Sequence, residues 1–388
     1  MKQYDVIIVG AGPAGLMAAR VLDQAKKSYL LIDSKKVIGQ PMKCAEGISE
    51  KSFIKLFGHK NYPFVRNTVH SHVIRYKNFE RTFDVNFLQL DRPKWESWMS
   101  KDLNISLECR LEDVSITKDY AELKTSKGIL RTKLLILCDG CNFHIQKKLG
   151  LIKETPSIAI AYGGIYKNYQ SKNNKNTSNQ NNILSDSFYY YFDEEFYGYL
   201  WIFPKSRELA NIGMAFYTVS NAQKNPKVML DKFLKKYHIN ARKISEYAGV
   251  IPCSGPIKKT YDDRVMVCGD SAGMVYAGTG EGIKYALMSG KNAAITAIDA
   301  LDSNRFDKQF LKNYEKAWKK DFGKEMIAGK LFFDLSIAAV RIGKMQSLFK
   351  KPSDKEVKAL VLEGKYPLKA GFAWKICKLL GLTKLRAN

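Results

Sequence analysis

The chain of 388 residues carries 63 Lys and Arg against 38 Asp and Glu, a net charge of +25, with 45% hydrophobic and 26% charged residues. At roughly 150 residues per domain this describes an ordinary globular protein of two or three domains with a large core. The excess of positive charge suits an anionic partner, a phospholipid surface or a nucleic acid, although lysines spread along the whole chain also serve solubility.

Seven cysteines, an odd number without regular spacing, argue against a disulfide framework and fit a reducing cytoplasm. The start of the chain reads as a strand and not as the apolar part of a signal peptide. The most apolar later run, Leu331 to Val340, is interrupted by Asp334 and is shorter than the about 20 residues a spanning helix needs. The five histidines have no metal-ligand spacing with cysteines or carboxylates, so no metal is expected.

In chain order, Tyr4 to Val9 is a short β-branched run that reads as a buried strand, and Gly10, Gly12 and Gly15 follow it in G-x-G-x-x-G spacing. A helix from Ala14 to Ala25 and a second strand from Ser28 to Ile32 complete the unit, which ends on Asp33. Gly10 allows the tight turn, Gly12 a close approach of pyrophosphate, and Gly15 close packing of helix on strand. The backbone around Ala14, at the helix N-terminus, favours the anion, and Asp33 is placed to accept from a ribose. The expected ligand is an adenine dinucleotide.

Ser34 to Ser49 is too rich in glycine and proline for a helix. Partial alternation from Val69 to Val85 predicts antiparallel strands, and Leu90 to Leu103 a helix with Pro93 in its first turn. Leu134 to Leu137 is a buried strand closed by Cys138-Asp139-Gly140. Strands follow at Ile158 to Tyr166, Phe188 to Tyr191, Tyr199 to Phe203 and Asn211 to Tyr217, with an Asn-rich, loop-like insertion before the second of them. A helix over Lys227 to Tyr237, a strand at Val265 to Val267 and a helix from about Glu281 to Leu301 come next. The remainder reads as basic, amphipathic helix with Trp318, Phe332, Phe333, Phe372 and Trp374 as its large apolar groups.

The fold class is therefore α/β: a Rossmann-like dinucleotide-binding domain in pieces (1–60, 86–155 and 258–305), an antiparallel β-rich substrate domain inserted twice (61–85 and 156–257), and a helical C-terminal region (306–388). A second strand ending, Cys268-Gly269-Asp270, places a carboxylate where it can accept from the hydroxyls of a sugar or ribityl chain. Gly278-Thr279-Gly280-Glu281-Gly282-Ile283 then opens a helix whose free N–H groups can face a flat, negatively charged ring.

Together with the N-terminal glycines, these elements resemble the FAD-binding pattern of the flavoprotein hydroxylase superfamily, the p-hydroxybenzoate hydroxylase-like fold. Asp139-Gly140 is similar to its middle Asp-Gly motif and Arg92 to its arginine at a helix start. The resemblance implies FAD, held through Gly10, Gly12, Ala14, Gly15, Asp33, Cys44, Ala45, Arg92, Asp139, Gly140, Asp270, Gly280, Gly282 and Ile283. Two further stretches narrow it: Pro41-Met42-Lys43-Cys44-Ala45-Glu46-Gly47 resembles the cysteine loop of the geranylgeranyl reductase family, and Tyr199-Leu200-Trp201-Ile202-Phe203-Pro204 its Tyr-x-Trp-x-Phe-Pro motif.

That family saturates isoprenoid double bonds, in archaea those of geranylgeranyl chains on glycerophospholipid precursors. The resemblance implies a reductase of an isoprenoid lipid, with ferredoxin, another reduced carrier or NAD(P)H as electron donor; cysteine usage and the net charge of +25 add the expectation of a cytoplasmic protein, peripheral at an anionic membrane surface. A monooxygenase or a quinone-side-chain reductase on the same fold is the alternative, and a nucleic-acid partner is not expected.

An isolated trisubstituted alkene accepts hydride poorly, so a proton must reach it before or with the hydride, in a dry pocket that tolerates cationic character. Period-two alternation points the rings of Tyr199, Trp201 and Phe203 the same way, an aromatic wall over the flavin that can pack an isoprenoid. Cys44, with Glu46 nearby, is expected to govern proton delivery or substrate positioning. The candidate catalytic residues are thus Cys44, Glu46, Tyr199 and Trp201. Cys138 and Cys141 straddle Asp139-Gly140 and read as structural; an approach of Cys253 to Cys44 is left open.

Overall fold

The computed structural model describes residues 2–169, 183–193, 198–217 and 225–342, together with 353, 355, 356 and 359. The Asn-rich insertion from 170 to 182, and Phe372 and Trp374, lie outside the described residues. Two compact units account for the chain, one built from residues 1–40, 93–157 and 252–330, the other from 41–92, 158–251 and 331–388.

The first unit is a parallel sheet. Its strands run in the order Tyr261–Asp262, Val265–Val267, Gly128–Leu137, Lys2–Val9, Tyr29–Ile32 and Ile105–Ser106, and all pairs but the first are parallel. Ala121–Thr125 and Leu111–Ile116 extend Gly128–Leu137 as an antiparallel ribbon. Val6 to Ile8, Leu31, Ile32 and Leu134 to Leu137 are wholly buried, as strands covered on both faces must be.

Register aligns the strand ends: Val9 pairs with both Ile32 and Leu137, and Leu137 with Val267. The residues that follow them, Gly10, Asp33, Cys138-Asp139-Gly140 and Cys268-Gly269-Asp270, therefore emerge along one carboxyl edge, where open α/β sheets bind their ligands. The helices Pro13–Gln24 and Ile283–Asp302 pack closely, since a Cβ on Gly290 would come within 2.1 Å of the Ala14 carbonyl oxygen.

The second unit is an eight-stranded sheet in the order Arg242–Pro252, Ile158–Lys167, Leu209–Tyr217, Gly198–Pro204, Ser187–Phe192, Val65–Tyr76, Phe79–Leu90 and Gly47–Ser49. Ser187–Phe192 and Val65–Tyr76 pair in parallel; the other registered pairs are antiparallel. The strand period sorts its side chains cleanly. Leu200 and Ile202 enter one cluster with Tyr162, Tyr189, Tyr191 and Phe233; Trp201 and Phe203 enter the other with Phe87, Phe188 and Tyr247. Helix Pro226–Lys236 supplies Leu230 and Phe233 to the first cluster, and its start is capped by the Asn225 side chain.

The borders differ from those expected. Phe79–Leu90 is one long strand, and Gly47–Ser49, expected as loop, pairs with Phe87 to Gln89, so 41–60 and 86–92 belong to the second unit. The helix Lys308–Trp318 is no separate C-terminal region: Tyr314 Oη donates to the Val267 carbonyl at 2.7 Å and Trp318 Nε1 to Thr260 Oγ1 at 3.1 Å, which ties it to the first unit. A π turn over Lys319–Gly323 joins it to the helix Lys324–Arg341. The helix Glu50–Phe57 and the edge strand Arg242–Pro252 were not anticipated; the strand is largely exposed and its sequence pattern is weak, whereas the helix carries Phe53, Ile54 and Phe57 at helical spacing. No described helix is long and apolar enough to cross a membrane.

Candidate functional site

In the first unit the candidate residues are backbone features. Gly10 has φ +102°, and a Cβ there would lie 2.2 Å from the Cys138 carbonyl oxygen; one on Gly15 would lie 1.9 Å from the Gly10 oxygen. Leu16 N makes the first intrahelical bond, to Gly12 O, so the N–H groups of Ala14 and Gly15 have no acceptor within the helix, and Pro13 has none to satisfy. An anion finds donors and the positive end of the dipole at this point.

Asp33 closes the loop from the other side. Its Oδ2 accepts from Ala11 N at 2.6 Å and its Oδ1 from Lys35 N at 2.7 Å, and the residue is 5% exposed. The expected ribose ligand is thus also the brace of the glycine turn. Asp139 Oδ1 accepts from Ser271 Oγ and from Gln146 Nε2, each at 2.9 Å; burial pushes its carboxyl up and these two donors pull it back. The Ser271 bond links the Asp139-Gly140 corner to the short 3-10 turn Gly269–Ala272 that contains Asp270.

Gly280 has φ +75° and Gly282 caps Ile283–Asp302, so Gly280, Gly282 and Ile283 do open that helix. Between them Glu281 has an oxygen, Oε1, that is buried without a partner, and burial raises its carboxyl, with Glu325 adding and Lys284 opposing. Glycines where a side chain cannot fit, unclaimed amides at a helix start and carboxylates aligned on one strand edge are the chemistry a dinucleotide needs, and the residues fit FAD.

In the second unit the site is a knot of side chains. Asn211, fully buried, stands at its centre: its Nδ2 donates to Cys44 O at 2.8 Å and to Glu46 Oε2 at 3.2 Å, and its Oδ1 accepts from Trp201 Nε1 at 3.0 Å and Tyr247 Oη at 2.8 Å. Glu46, 1% exposed, also takes Lys205 Nζ at 2.6 Å on Oε2 and Arg92 N at 3.0 Å on Oε1. A buried carboxylate is tolerated on such terms. Tyr247 sits among these groups; burial pushes its phenol well up, and Cys44 and Glu46 add to the rise.

The structure thus brings Cys44, Glu46 and Trp201 together through Asn211. Both carboxylate oxygens of Glu46 are engaged, and the Arg92 backbone N–H is one of their donors. Cys44 is part-exposed, and its Sγ accepts from Glu46 N at 3.2 Å. Ala45 O accepts from Gln89 Nε2 at 2.9 Å. Cys44 and Cys253 belong to different units, and neither takes part in a disulfide bond, nor do Cys138 and Cys141.

Tyr199 lies 6.1 Å from Trp201 and 5.6 Å from Tyr190 between ring centroids, and Phe203 stacks on Phe188 at 4.0 Å. Small residues make room for the indole: a Cβ on Gly213 would meet Trp201 Cζ2 at 2.3 Å. Asn211, Lys205, Gln89 and Tyr247 carry no sequence signal of their own. Only the buried charge of Glu46 could have prompted a search for a cation, without saying which of 63 Lys and Arg it would be.

Known proteins agree with both halves. The geranylgeranyl reductase catalytic domain family matches residues 168–251, and an FAD binding domain family matches residues 3–53. The digeranylgeranylglycerophospholipid reductase of Methanocaldococcus jannaschii is 30% identical over 342 residues, 82% of this chain and 82% of that protein. Digeranylgeranylglycerophospholipid reductase 2 of Methanopyrus kandleri is 25% identical over 358 residues, covering 86% and 88%.

Among solved structures, a geranylgeranyl bacteriochlorophyll reductase-like protein from Thermoplasma acidophilum superposes with a TM-score of 0.78 at 22% identity, covering 98% of this chain and 99% of its own, which establishes the shared fold. With 30% identity to the Methanocaldococcus jannaschii protein over 82% of its own length, the chain belongs to the family of the digeranylgeranylglycerophospholipid reductases.

Proposed function

We propose that the protein is an FAD-dependent reductase that saturates carbon–carbon double bonds in the geranylgeranyl chains of a membrane glycerophospholipid or its precursor. The observation that carries this reading is the aromatic face of the second sheet, where Phe188, Tyr190, Tyr199, Trp201 and Phe203 lie together with Ala161 and Ala215 beside the Cys44 loop. Such a face packs a branched hydrocarbon, excludes water and offers ring faces to positive charge.

FAD, once reduced, supplies the hydride. The chain's own residues do the rest: Gly10, Gly12, Ala14, Gly15, Asp33, Asp139, Gly140, Asp270, Gly280, Gly282 and Ile283 hold and orient the dinucleotide, and Arg92 and Ala45 are further candidates for binding it. Cys44 controls the proton delivered to the alkene or the placement of the chain that receives it. Trp201 and Tyr199 pack against the alkene and keep water from it. Electrons come from ferredoxin, another reduced carrier or NAD(P)H. The net charge of +25 draws the protein to anionic head groups at the membrane surface.

Replacing Cys44 by Ser tests the site. Loss of alkene saturation with unchanged flavin reduction is the expected result; full turnover would remove Cys44 from the mechanism.

A further inference from the structure

The loop Cys44-Ala45-Glu46 is held by its carbonyl groups. Cys44 O accepts from Asn211 Nδ2 at 2.8 Å, Ala45 O from Gln89 Nε2 at 2.9 Å, and Glu46 O from Leu90 N at 3.0 Å. Three consecutive carbonyls thus have three separate donors. The hold has work to do, because Glu46 has φ +69°, a left-handed conformation that a non-glycine residue adopts only when its surroundings insist. That same conformation accompanies the bond from Glu46 N to the Cys44 Sγ.

Two of the three donors are side-chain amides, and both are chemically specific. Asn211 uses its full capacity, two bonds donated and two accepted, and no other side chain of its length offers both. Gln89 is the opposite case. It is fully buried, its Nε2 serves Ala45, and its Oε1 has no partner. A buried oxygen left unpaired is unfavourable, and Met or Leu would fill the same space without one. What the position uses is therefore the single N–H directed at the loop.

We propose that Asn211, seconded by Gln89, is a positioning residue of the reaction: it sets the placement of the Cys44 thiol by holding the loop's carbonyls, and this role is separable from its support of the fold. The inference rests on the reading of Cys44 given above. Asp at 211 keeps the acceptor for Trp201 and Tyr247, loses the donor to Cys44 O, and sets a second carboxylate against Glu46. In the double variant Asn211→Asp/Glu46→Gln, amide and carboxylate exchange places. One carboxylate then remains where two would repel, and an amide at 46 can donate to it, but the donor to Cys44 O does not return.

The experiment compares wild type, Asn211→Asp, the double variant and Gln89→Met as FAD-loaded full-length proteins. It reads thermal midpoint, kcat and KM for prenyl saturation, and the rate of Cys44 alkylation by iodoacetamide, located by mass spectrometry of its peptide. The double variant is expected to regain most of the midpoint that Asn211→Asp loses, while Cys44 is alkylated on the order of tenfold faster than in wild type and kcat stays down by a similar factor at little changed KM. Gln89→Met, which leaves the Glu46–Lys205 pair intact, is expected to show a several-fold faster alkylation without a fall in midpoint.

Wild-type alkylation and kcat returning together with the midpoint, or alkylation unmoved in Gln89→Met, would overturn the proposal and leave both amides as supports of the fold. If wild type saturates no prenyl chain, the functional reading fails, and the alkylation rates still decide whether the amides place the thiol.

Discussion

The two units hold their functional residues by different means. In the first, register brings the ends of parallel strands into line, and the binding groups are backbone N–H groups, glycines with no room for a Cβ, and carboxylates one to three residues past a strand. In the second, Cys44, Glu46, Gln89, Trp201, Lys205, Asn211 and Tyr247 come from four strands and two connecting segments and are joined by side-chain hydrogen bonds around one buried amide. A site made of backbone is as rigid as its sheet and fails when sterics are violated. A site made of side chains fails when one partner leaves another buried and unpaired.

The largest effect should come from violating the first kind. Gly10→Ala puts a Cβ 2.2 Å from the Cys138 oxygen at φ +102°, and is expected to destabilise the first unit by about 4 kcal/mol or more with loss of bound flavin. Flavin absorbance per protein and a thermal melt check it. An intact yellow protein would mean that the turn is more compliant than its sterics imply.

Next comes the ion pair of the second unit. Lys205→Met leaves the Glu46 carboxylate, 1% exposed, without its cation, at a cost of about 3–5 kcal/mol in urea unfolding. The double variant Lys205→Met/Glu46→Gln should recover most of that loss, since a neutral amide asks less of the interior. Equal losses in the single and double variants would mean that the ion pair does not organise the knot.

His72 sharpens the contrast through pH. It is 1% exposed, packed against Phe87, Phe188 and Tyr190, and burial lowers its imidazole to about 3 from the ordinary 6.5. Between those values the unfolded chain binds a proton that the folded chain does not, so stability falls as pH falls through that window. By pH 5 the loss is about 2 kcal/mol. His72→Phe should flatten the slope between pH 6.5 and 3 in chemical denaturation. An unchanged slope would mean that the ring protonates without leaving its aromatic surroundings. The smallest effect belongs to surface pairs such as Lys27 with Asp302, where Lys27→Ala should move stability by no more than about 0.5 kcal/mol, because the carboxylate is largely exposed.

The same contrast explains what the sequence disclosed. Gly10, Gly12, Gly15 and Asp33 lie within 24 residues of each other because a strand, a turn and a helix are contiguous in the chain, so the physics leaves a linear signature. Alternation at 199–203 was equally legible, and the rings of Tyr199, Trp201 and Phe203 do lie on one side of their strand. Lys205 and Asn211 were not. Their roles depend on Glu46, some 160 residues earlier, and a lysine after a proline or an asparagine in a strand looks the same with or without such a partner.

The domain borders slipped for a related reason. Phe79–Leu90 alternates through Asn86 and turns fully buried over its last four residues, so these read like the approach to the next helix.

The most direct test is anaerobic. The purified protein is reduced with dithionite, digeranylgeranylglyceryl phospholipid is added, and flavin reoxidation is followed while the lipid is weighed by mass spectrometry. The account predicts reoxidation with a gain of two daltons for each double bond saturated. Reduced flavin that persists until oxygen is admitted, with the lipid mass unchanged, would contradict it.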